Sequence, residues 1–250
     1  MIDTAHLSPW LLVVAPIVVI VAYTVFGLSG FGSTLITVPI LAHFLPVTYL
    51  VPLMATLDLV SAIAVGASGR KHVSKPELKR LIPFMFVGII FGATVLAGVS
   101  DTILRTAVGL FALCVGIYAM LNPTMHRVIS PWWCVPAGIV AGAAATVFGS
   151  GGPVYATYLG ARLRDKNEIR ATVSSLISIS AFTRAAIYAF TGLLLHLTIL
   201  AGTLILGPFV WVGLKIGTRI HVGLPQEQLR RVIGAIIVAT GGSLLIRALF

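Results

Sequence analysis

Stretches of apolar residues long enough to cross a bilayer follow one another almost from end to end of this chain, and no run between them is long enough for a soluble domain. A membrane helix needs about 20 such residues. Within hydrocarbon every backbone N–H and C=O must be bonded internally, which a helix achieves. The composition agrees, since 10% of the residues are charged where a soluble domain carries roughly 25%. The chain is therefore expected to be an all-α polytopic protein of the lipid bilayer, with its function confined to spans and short loops. Full spans are predicted at about 48–67, 81–98, 102–121, 168–190, 197–213 and 227–249, with two broken hairpins at about 10–44 and 132–161. Whether the hairpin arms cross or re-enter sets the total at 8–10 helices. The opening MIDTAHLSPW lacks the basic n-region of a cleaved signal, so the first apolar run is expected to be retained as a span.

The net charge of +10 belongs to the membrane rather than to nucleic acid once the cations are located. Arg70, Lys71, Lys75, Lys79 and Arg80 share one interspan loop, Arg162, Arg164, Lys166 and Arg170 share another, and Lys215, Arg219, Arg230 and Arg231 bracket a third. Short basic loops are cytoplasmic under the positive-inside rule. Arg105 falls on the outer side, where Asp101, four residues earlier, is its expected partner. Cys114 and Cys134 both lie in apolar segments away from any metal-ligand spacing, and are expected to be buried free thiols.

The chain repeats itself. TVFG at Thr24 returns at Thr146, and Gly88, Gly92 and Gly109 are answered in one common register by Gly213, Gly217 and Gly234. Two homologous halves, 1–124 and 125–250, are predicted. Their basic loops do not coincide. The link after the first hairpin, Pro46 to Thr48, is uncharged, whereas its counterpart is ARLRDKNEIR. The loop GRKHVSKPELKR is answered by TGLLLHL, without Lys or Arg. Parallel repeats would keep the basic loops in register, so the repeats are expected to be inverted, with both termini on the extracytoplasmic side of the cell inner membrane.

Each hairpin is interrupted by glycine and hydroxyl residues, GLSGFGS from Gly27 and GSGGP from Gly149. A break is tolerated in a membrane only where the freed backbone groups meet protein or line a cavity. The helix that restarts after it presents free N–H groups and the positive end of its dipole. Two such ends converging near the midplane make an anion site, and broken helices at corresponding positions of inverted repeats point to a carrier's centre. The candidate binding residues are Gly27, Ser29, Gly30, Gly32 and Ser33 of the first break, with Gly149, Ser150, Gly151, Gly152 and Tyr155 of the second; Thr34 and Thr157 are further hydroxyl donors. Gly88 and Gly92, like Gly213 and Gly217, are instead expected to let helices pack closely. GLSG also fits the G-x-S-G of rhomboid proteases, with Ser29 as nucleophile and His43 or His196 as base. Such a hydrolase leaves the mirrored break without a purpose.

Two ionisable residues lie inside predicted spans, Asp58 in VPLMATLDLVSAIAV and Arg184 in SSLISISAFTRAAIYAF. A charge at the bilayer centre costs about 2.5–3.5 kcal/mol or more, so its retention is functional by default. The spans are repeat counterparts and should face each other. Arg184 offers a fixed charge and a planar fork suited to oxyanions. Asp58 is its structural partner, its counter-charge in the empty site, or the carrier of a coupling proton. Tyr188, one turn beyond Arg184, is a candidate wall of the site. His43 is expected to be a packing histidine.

Taken together, FGLSGFGSTLITVPIL, the span with LD before a basic RKH loop, VFGSGGPVYATYL and TRAAIYAFTGLL resemble the TauE/SafE family of sulfite exporter-like permeases, also called the toluene sulfonate uptake permease family. The resemblance covers nearly the whole chain. It implies a secondary carrier for sulfur oxyanions and organosulfonates, among them sulfite, taurine-related compounds, sulfoacetate and arylsulfonates. The family's glycine breaks correspond to Gly27, Gly30, Gly32, Gly149, Gly151 and Gly152, and its basic residue before a tyrosine and a glycine to Arg184, with Tyr188 and Gly192. GFGS departs from the commoner G-G-G of the first break, which bears on substrate size and contacts rather than on fold. The expected function is a non-enzymatic permease for sulfite or organosulfonates, working by alternating access around a midplane anion site, without cofactor or metal, with a proton or sodium as coupling ion. A passive anion channel using the same dipole ends is the alternative, and an intramembrane serine hydrolase a more distant one. A carrier accumulates its substrate against a gradient; a channel does not.

Overall fold

A computed structural model describes residues 9–65, 72–121, 129–190, 192, 197–219 and 226–249. Arg70, Lys71 and His196 lie outside the described residues. The described chain forms ten α-helices and no strand. In order these are Pro9–Ser29 (α1), Ser33–Leu41 (α2), Val47–Val65 (α3), Lys75–Gly98 (α4), Asp101–Leu121 (α5), Cys134–Val147 (α6), Gly152–Gly160 (α7), Lys166–Phe190 (α8), Leu197–Arg219 (α9) and Gln226–Leu249 (α10). The 3₁₀ turn Pro131–Trp133 leads into α6. Six of them, α1, α4, α5, α8, α9 and α10, are long and apolar enough to cross a membrane, and α3 and α6 are shorter apolar helices.

Two helices reach further than their apolar stretches. The first starts at Lys75 rather than near residue 81, because Pro76 sits in the first turn, where no N–H is needed, and Glu77 faces the dipole's positive end. The other, α9, runs on to Arg219, a cation in its last turn.

The packing is pairwise. α1 lies along α9, α4 along α6, α5 along α10, and α3 against α8. Glycines set the closeness of three of these seams, the α5–α10 one through Gly109 and Gly116 against Gly234 and Gly241. A Cβ at Gly92 would lie 2.8 Å from Thr146 Cβ, and one at Gly213 would lie 2.6 Å from Ile20 O. Cβ atoms at Gly88 and Gly217 would collide with the carbonyls of Ile139 and Thr24. These are the close helix contacts expected of small residues spaced by four. Phe86, Ile90 and Phe91 of α4, Leu110 of α5, and Leu204 and Ile205 of α9 are exposed, and form the apolar outside that lipid covers.

Ion pairs hold the ends of the two short helices. Arg105 Nη1 donates to Ala42 O at 2.6 Å just beyond α2, while its Nε meets Asp101 at 2.6 Å as expected. Just beyond α7, Arg162 Nη2 and Arg80 Nη1 each lie 2.9 Å from Glu77 Oε1, and Tyr158 donates to Oε2 at 2.7 Å. His43 is a packing histidine, with Nδ1 2.9 Å from Pro39 O and Nε2 3.1 Å from Ser243 Oγ. Both cysteines are free, but only Cys134 is buried. Cys114 is exposed, because an apolar stretch in a membrane turns some of its residues to lipid rather than to the core.

Candidate substrate site

The helical run that begins with α1 stops at Ser29 and resumes at Ser33. Between them Gly30 and Gly32 take φ of 83° and 103°, left-handed conformations that glycine adopts without steric cost. The end of α1 is closed by its surroundings: Gly30 N donates to Phe26 O at 2.7 Å, Arg170 Nη2 to Gly27 O, and Ser174 Oγ to Gly30 O at 3.2 Å. The second interruption separates α6 from α7, with Gly149 at φ 76°.

The two interruptions touch. A Cβ on Gly152 would lie 2.7 Å from Phe31 Cβ, and one on Gly149 would lie 3.3 Å from Thr34 Cβ. The N-terminal ends of α2 and α7 therefore meet. Neither has a side-chain cap. The first bonds into each are Ile36 N to Gly32 O at 3.3 Å and Tyr155 N to Gly151 O at 3.2 Å. The amides of Ser33, Thr34 and Leu35 in one helix, and of Gly152 and Val154 in the other, precede those bonds and have no intrahelical acceptor.

A cavity of about 10 Å³ lies between these ends, lined by Gly32, Ser33, Thr34 and Gly149–Gly152 from the two breaks and by Asp58, Tyr155, Ile177, Ser180 and Arg184 around them. That is room for roughly one water. Asp58 and Arg184, expected on facing spans, form an ion pair of 3.1 Å with side chains 2% and 1% exposed. Arg184 Nη1 donates to Ala145 O at 2.8 Å. Asp58 Oδ1 accepts from Tyr23 at 2.9 Å and from Ser33 at 3.3 Å. A buried pair of this kind holds only when its remaining polar atoms are bonded as well.

Three buried donors are not. Among the described residues Arg184 Nε, Tyr155 OH and Ser180 Oγ have no hydrogen-bond partner, and all three residues line the cavity. An unsatisfied buried donor costs about 1–3 kcal/mol, and few are found in native interiors. With two helix N-termini and a guanidinium at the same cavity, they complete a donor set for an oxyanion.

Of the residues expected from sequence, Gly32, Ser33, Asp58, Gly149, Ser150, Gly151, Gly152, Tyr155 and Arg184 are brought together here. Gly27, Ser29, Gly30 and Tyr188 are not among the lining residues. A Cβ at Gly27 would be 3.0 Å from Gly217 Cα, so this glycine serves the α1–α9 seam. Ser29 Oγ lies 2.6 Å from Phe31 O and 2.8 Å from Val25 O, which fastens the break rather than facing the cavity. Tyr188 donates to Thr146 O at 3.2 Å. Ser29 Oγ and the His43 ring bond to other groups, not to each other. Tyr23 and Ser180 were not singled out from the sequence. A tyrosine in the aliphatic run before the first break was a signal for Tyr23, but what it bonds to is set by α3, 35 residues on. Ser180 is one of several serines along α8, and only packing selects it.

The family model described as sulfite exporter TauE/SafE matches residues 15–244. A curated protein of Comamonas testosteroni named "Probable inner membrane transporter protein TsaS" is 24% identical over 193 residues, which cover 77% of this chain and 81% of that one. No solved structure matches the chain.

Proposed function

The chain belongs to the TauE/SafE family of membrane transporters, and from that premise we propose that it is an inner-membrane secondary carrier for sulfite or an organosulfonate, working by alternating access around the cavity between its two helix breaks. The observation that carries this reading is the donor set. Arg184 and the facing N-termini of α2 and α7 favour a negative charge, and Arg184 Nε, Tyr155 OH and Ser180 Oγ offer donors that no atom of the described residues uses. A sulfonate head has three oxygens and one charge, which suits several N–H and O–H donors around one guanidinium.

The cavity as it stands is far too small for a sulfonate, so the helices around it must part to admit one. That favours a carrier over a channel, which needs a continuous path. The packing supports two related halves, whose inversion rests on the exchanged basic loops. Exchanging the halves turns the α1–α9 pair into the α6–α4 pair, and the Gly217–Thr24 contact into the Gly92–Thr146 contact. It leaves the α3–α8 and α5–α10 pairs as themselves.

The halves differ in how their short helices pack. α2 packs against α10, whereas its counterpart α7 is parted from α5 by an apolar groove of about 600 Å³, lined by Phe111, Cys114 and Val115 on one side and Val154 and Thr157 on the other. Exchanging these two arrangements gives the opposite state of an alternating-access cycle: α7 on α5, with α2 freed from α10.

The test is thermal unfolding of the purified protein with sulfite, taurine, sulfoacetate and 4-toluenesulfonate. Stabilisation by at least one of them is expected in the wild type. It should be absent in Arg184→Ala combined with Asp58→Asn, a pair of changes that leaves no charge buried alone. Stabilisation surviving in the double variant would assign the site to the backbone ends without Arg184. No stabilisation of the wild type by any of the four would overturn the sulfonate reading.

A further inference from the structure

Arg184 presents its side-on edge, Nε and Nη2, in an uneven state. Nε has no partner, and Nη2 is held by Asp58 Oδ2 at 3.1 Å. Ser33 Oγ at the start of α2 is likewise turned to Asp58 rather than to the cavity. Through Nη2, Asp58 thus holds a donor that an incoming oxyanion needs, half of the bidentate edge that matches two oxygens of a sulfonate. Two anions in contact across one guanidinium repel each other, so the carboxylate must give way.

As an ion it has nowhere to go. The groups acting on Asp58 are Arg184 from α8, Tyr23 from α1 and Ser33 from α2. Tyr155 of α7 and Tyr188 of α8 lie within the field of Arg184 and do not act on Asp58. Among the described residues no second cation faces Asp58, and α5 and α9, which also pack on α3, present it no charged group. An ionised Asp58 separated from Arg184 would be a lone buried charge, which is strongly unfavourable.

Protonation resolves the conflict. Oδ1 already accepts from Tyr23 and Ser33, so the proton goes to Oδ2, the oxygen facing Arg184. A protonated Oδ2 has lost the charge that held Nη2 and is a much weaker acceptor than a sulfonate oxygen, so Nη2 is released to the anion, while Tyr23 and Ser33 keep the carboxyl in place. Nη2 joins Nε on the anion, and Nη1 stays on Ala145 O. The helix dipoles favour the anion but carry no net charge across the membrane, so Asp58 decides the stoichiometry.

Resting on the anion site proposed above, we propose that the carrier moves its anion together with one proton, carried on Asp58 Oδ2, so that turnover of a monovalent oxyanion transfers no net charge. The reaction at Asp58 is a plain protonation from one side and deprotonation to the other, with no other bond made or broken.

The experiment uses the full chain in proteoliposomes with radiolabelled methanesulfonate and 4-toluenesulfonate, which stay monovalent throughout the pH range used. With the potential clamped by valinomycin and equal potassium, accumulation is expected to approach about tenfold per unit of pH difference, toward the alkaline side. A potential alone, at equal pH, should drive none. Asp58→Asn should lose the pH-driven accumulation, and the transport it retains should respond to an inside-positive potential. Exchange by the wild type without pH-driven accumulation, or accumulation driven by the potential at equal pH, would overturn the proposal and leave the anion site standing. So would full pH-driven accumulation in Asp58→Asn. No exchange of either anion by the wild type would overturn the site and the coupling together. The wild-type measurements decide the matter even where the variant does not fold.

Discussion

Tyr155 is wholly buried, yet its hydroxyl meets no acceptor. Removing that oxygen therefore takes nothing from the folded protein, and Tyr155→Phe is expected to unfold at the wild-type temperature or slightly above. If the hydroxyl serves the anion, binding in the same variant falls by about 3- to 10-fold, the worth of one hydrogen bond. Unchanged affinity would remove Tyr155 from the site. Tyr23 gives the opposite pattern, because its hydroxyl bonds Asp58 inside the protein. Tyr23→Phe should destabilise by about 1–3 kcal/mol in thermal unfolding. Arg184→Lys keeps the charge but loses the fork that reaches Ala145 O and Asp58 together. A drop in anion affinity of about ten- to a hundredfold is expected, the worth of one charge-assisted hydrogen bond.

Among the elements, α4 carries its own control. Gly88 faces the Ile139 carbonyl of α6 with no space for a methyl, whereas a Cβ at Gly98, the last residue of the same helix, would have nothing within 4 Å. Gly88→Ala should push α4 from α6 and cost about 1–3 kcal/mol, while Gly98→Ala should be neutral or slightly stabilising. Equal unfolding temperatures for the two variants would mean that the α4–α6 seam is not set by this contact. Gly32 differs from both. Its Cβ would have room, with Val25 Cγ1 3.6 Å away, but its φ of 103° strains any other residue. Its role is to turn the chain so that α2 starts at the cavity, and no contact within the element shows this.

At the scale of the whole molecule, the groove between α5 and α7 is the place where alternating access is most directly tested. With Cys134→Ala removing the other thiol, Val154→Cys faces the same groove as the native Cys114. A short bifunctional maleimide joining the two is expected to abolish transport, and the uncrosslinked variant should still transport. Full transport after complete crosslinking would mean that α7 does not move against α5.

Much was legible in the sequence at this scale, because a bilayer imposes its terms on every span. Apolar length predicted α1, α3, α5, α8 and α10 closely, and the Lys and Arg clusters marked the ends of spans, although Lys75, Lys79, Arg80, Lys166, Arg170, Lys215, Arg219 and Arg231 lie within the helices rather than in loops. Asp58 and Arg184 stood out because a charge in hydrocarbon is too costly to be incidental, and glycine with serine inside an apolar run marked both interruptions. Each of these signals is local, a property of one residue or one short segment against a uniform solvent. Tertiary structure decided what such signals cannot carry. It placed Tyr23 and Ser33 on Asp58, selected Ser180 from the serines of α8, and turned Ser29 and Tyr188 to backbone carbonyls instead of the cavity. It also left Arg184 Nε, Tyr155 and Ser180 without partners around one small space. Hydrogen bonds reach about 3 Å, so which donors share a cavity depends on how helices distant in sequence settle against one another, and that is fixed only when all of them are packed.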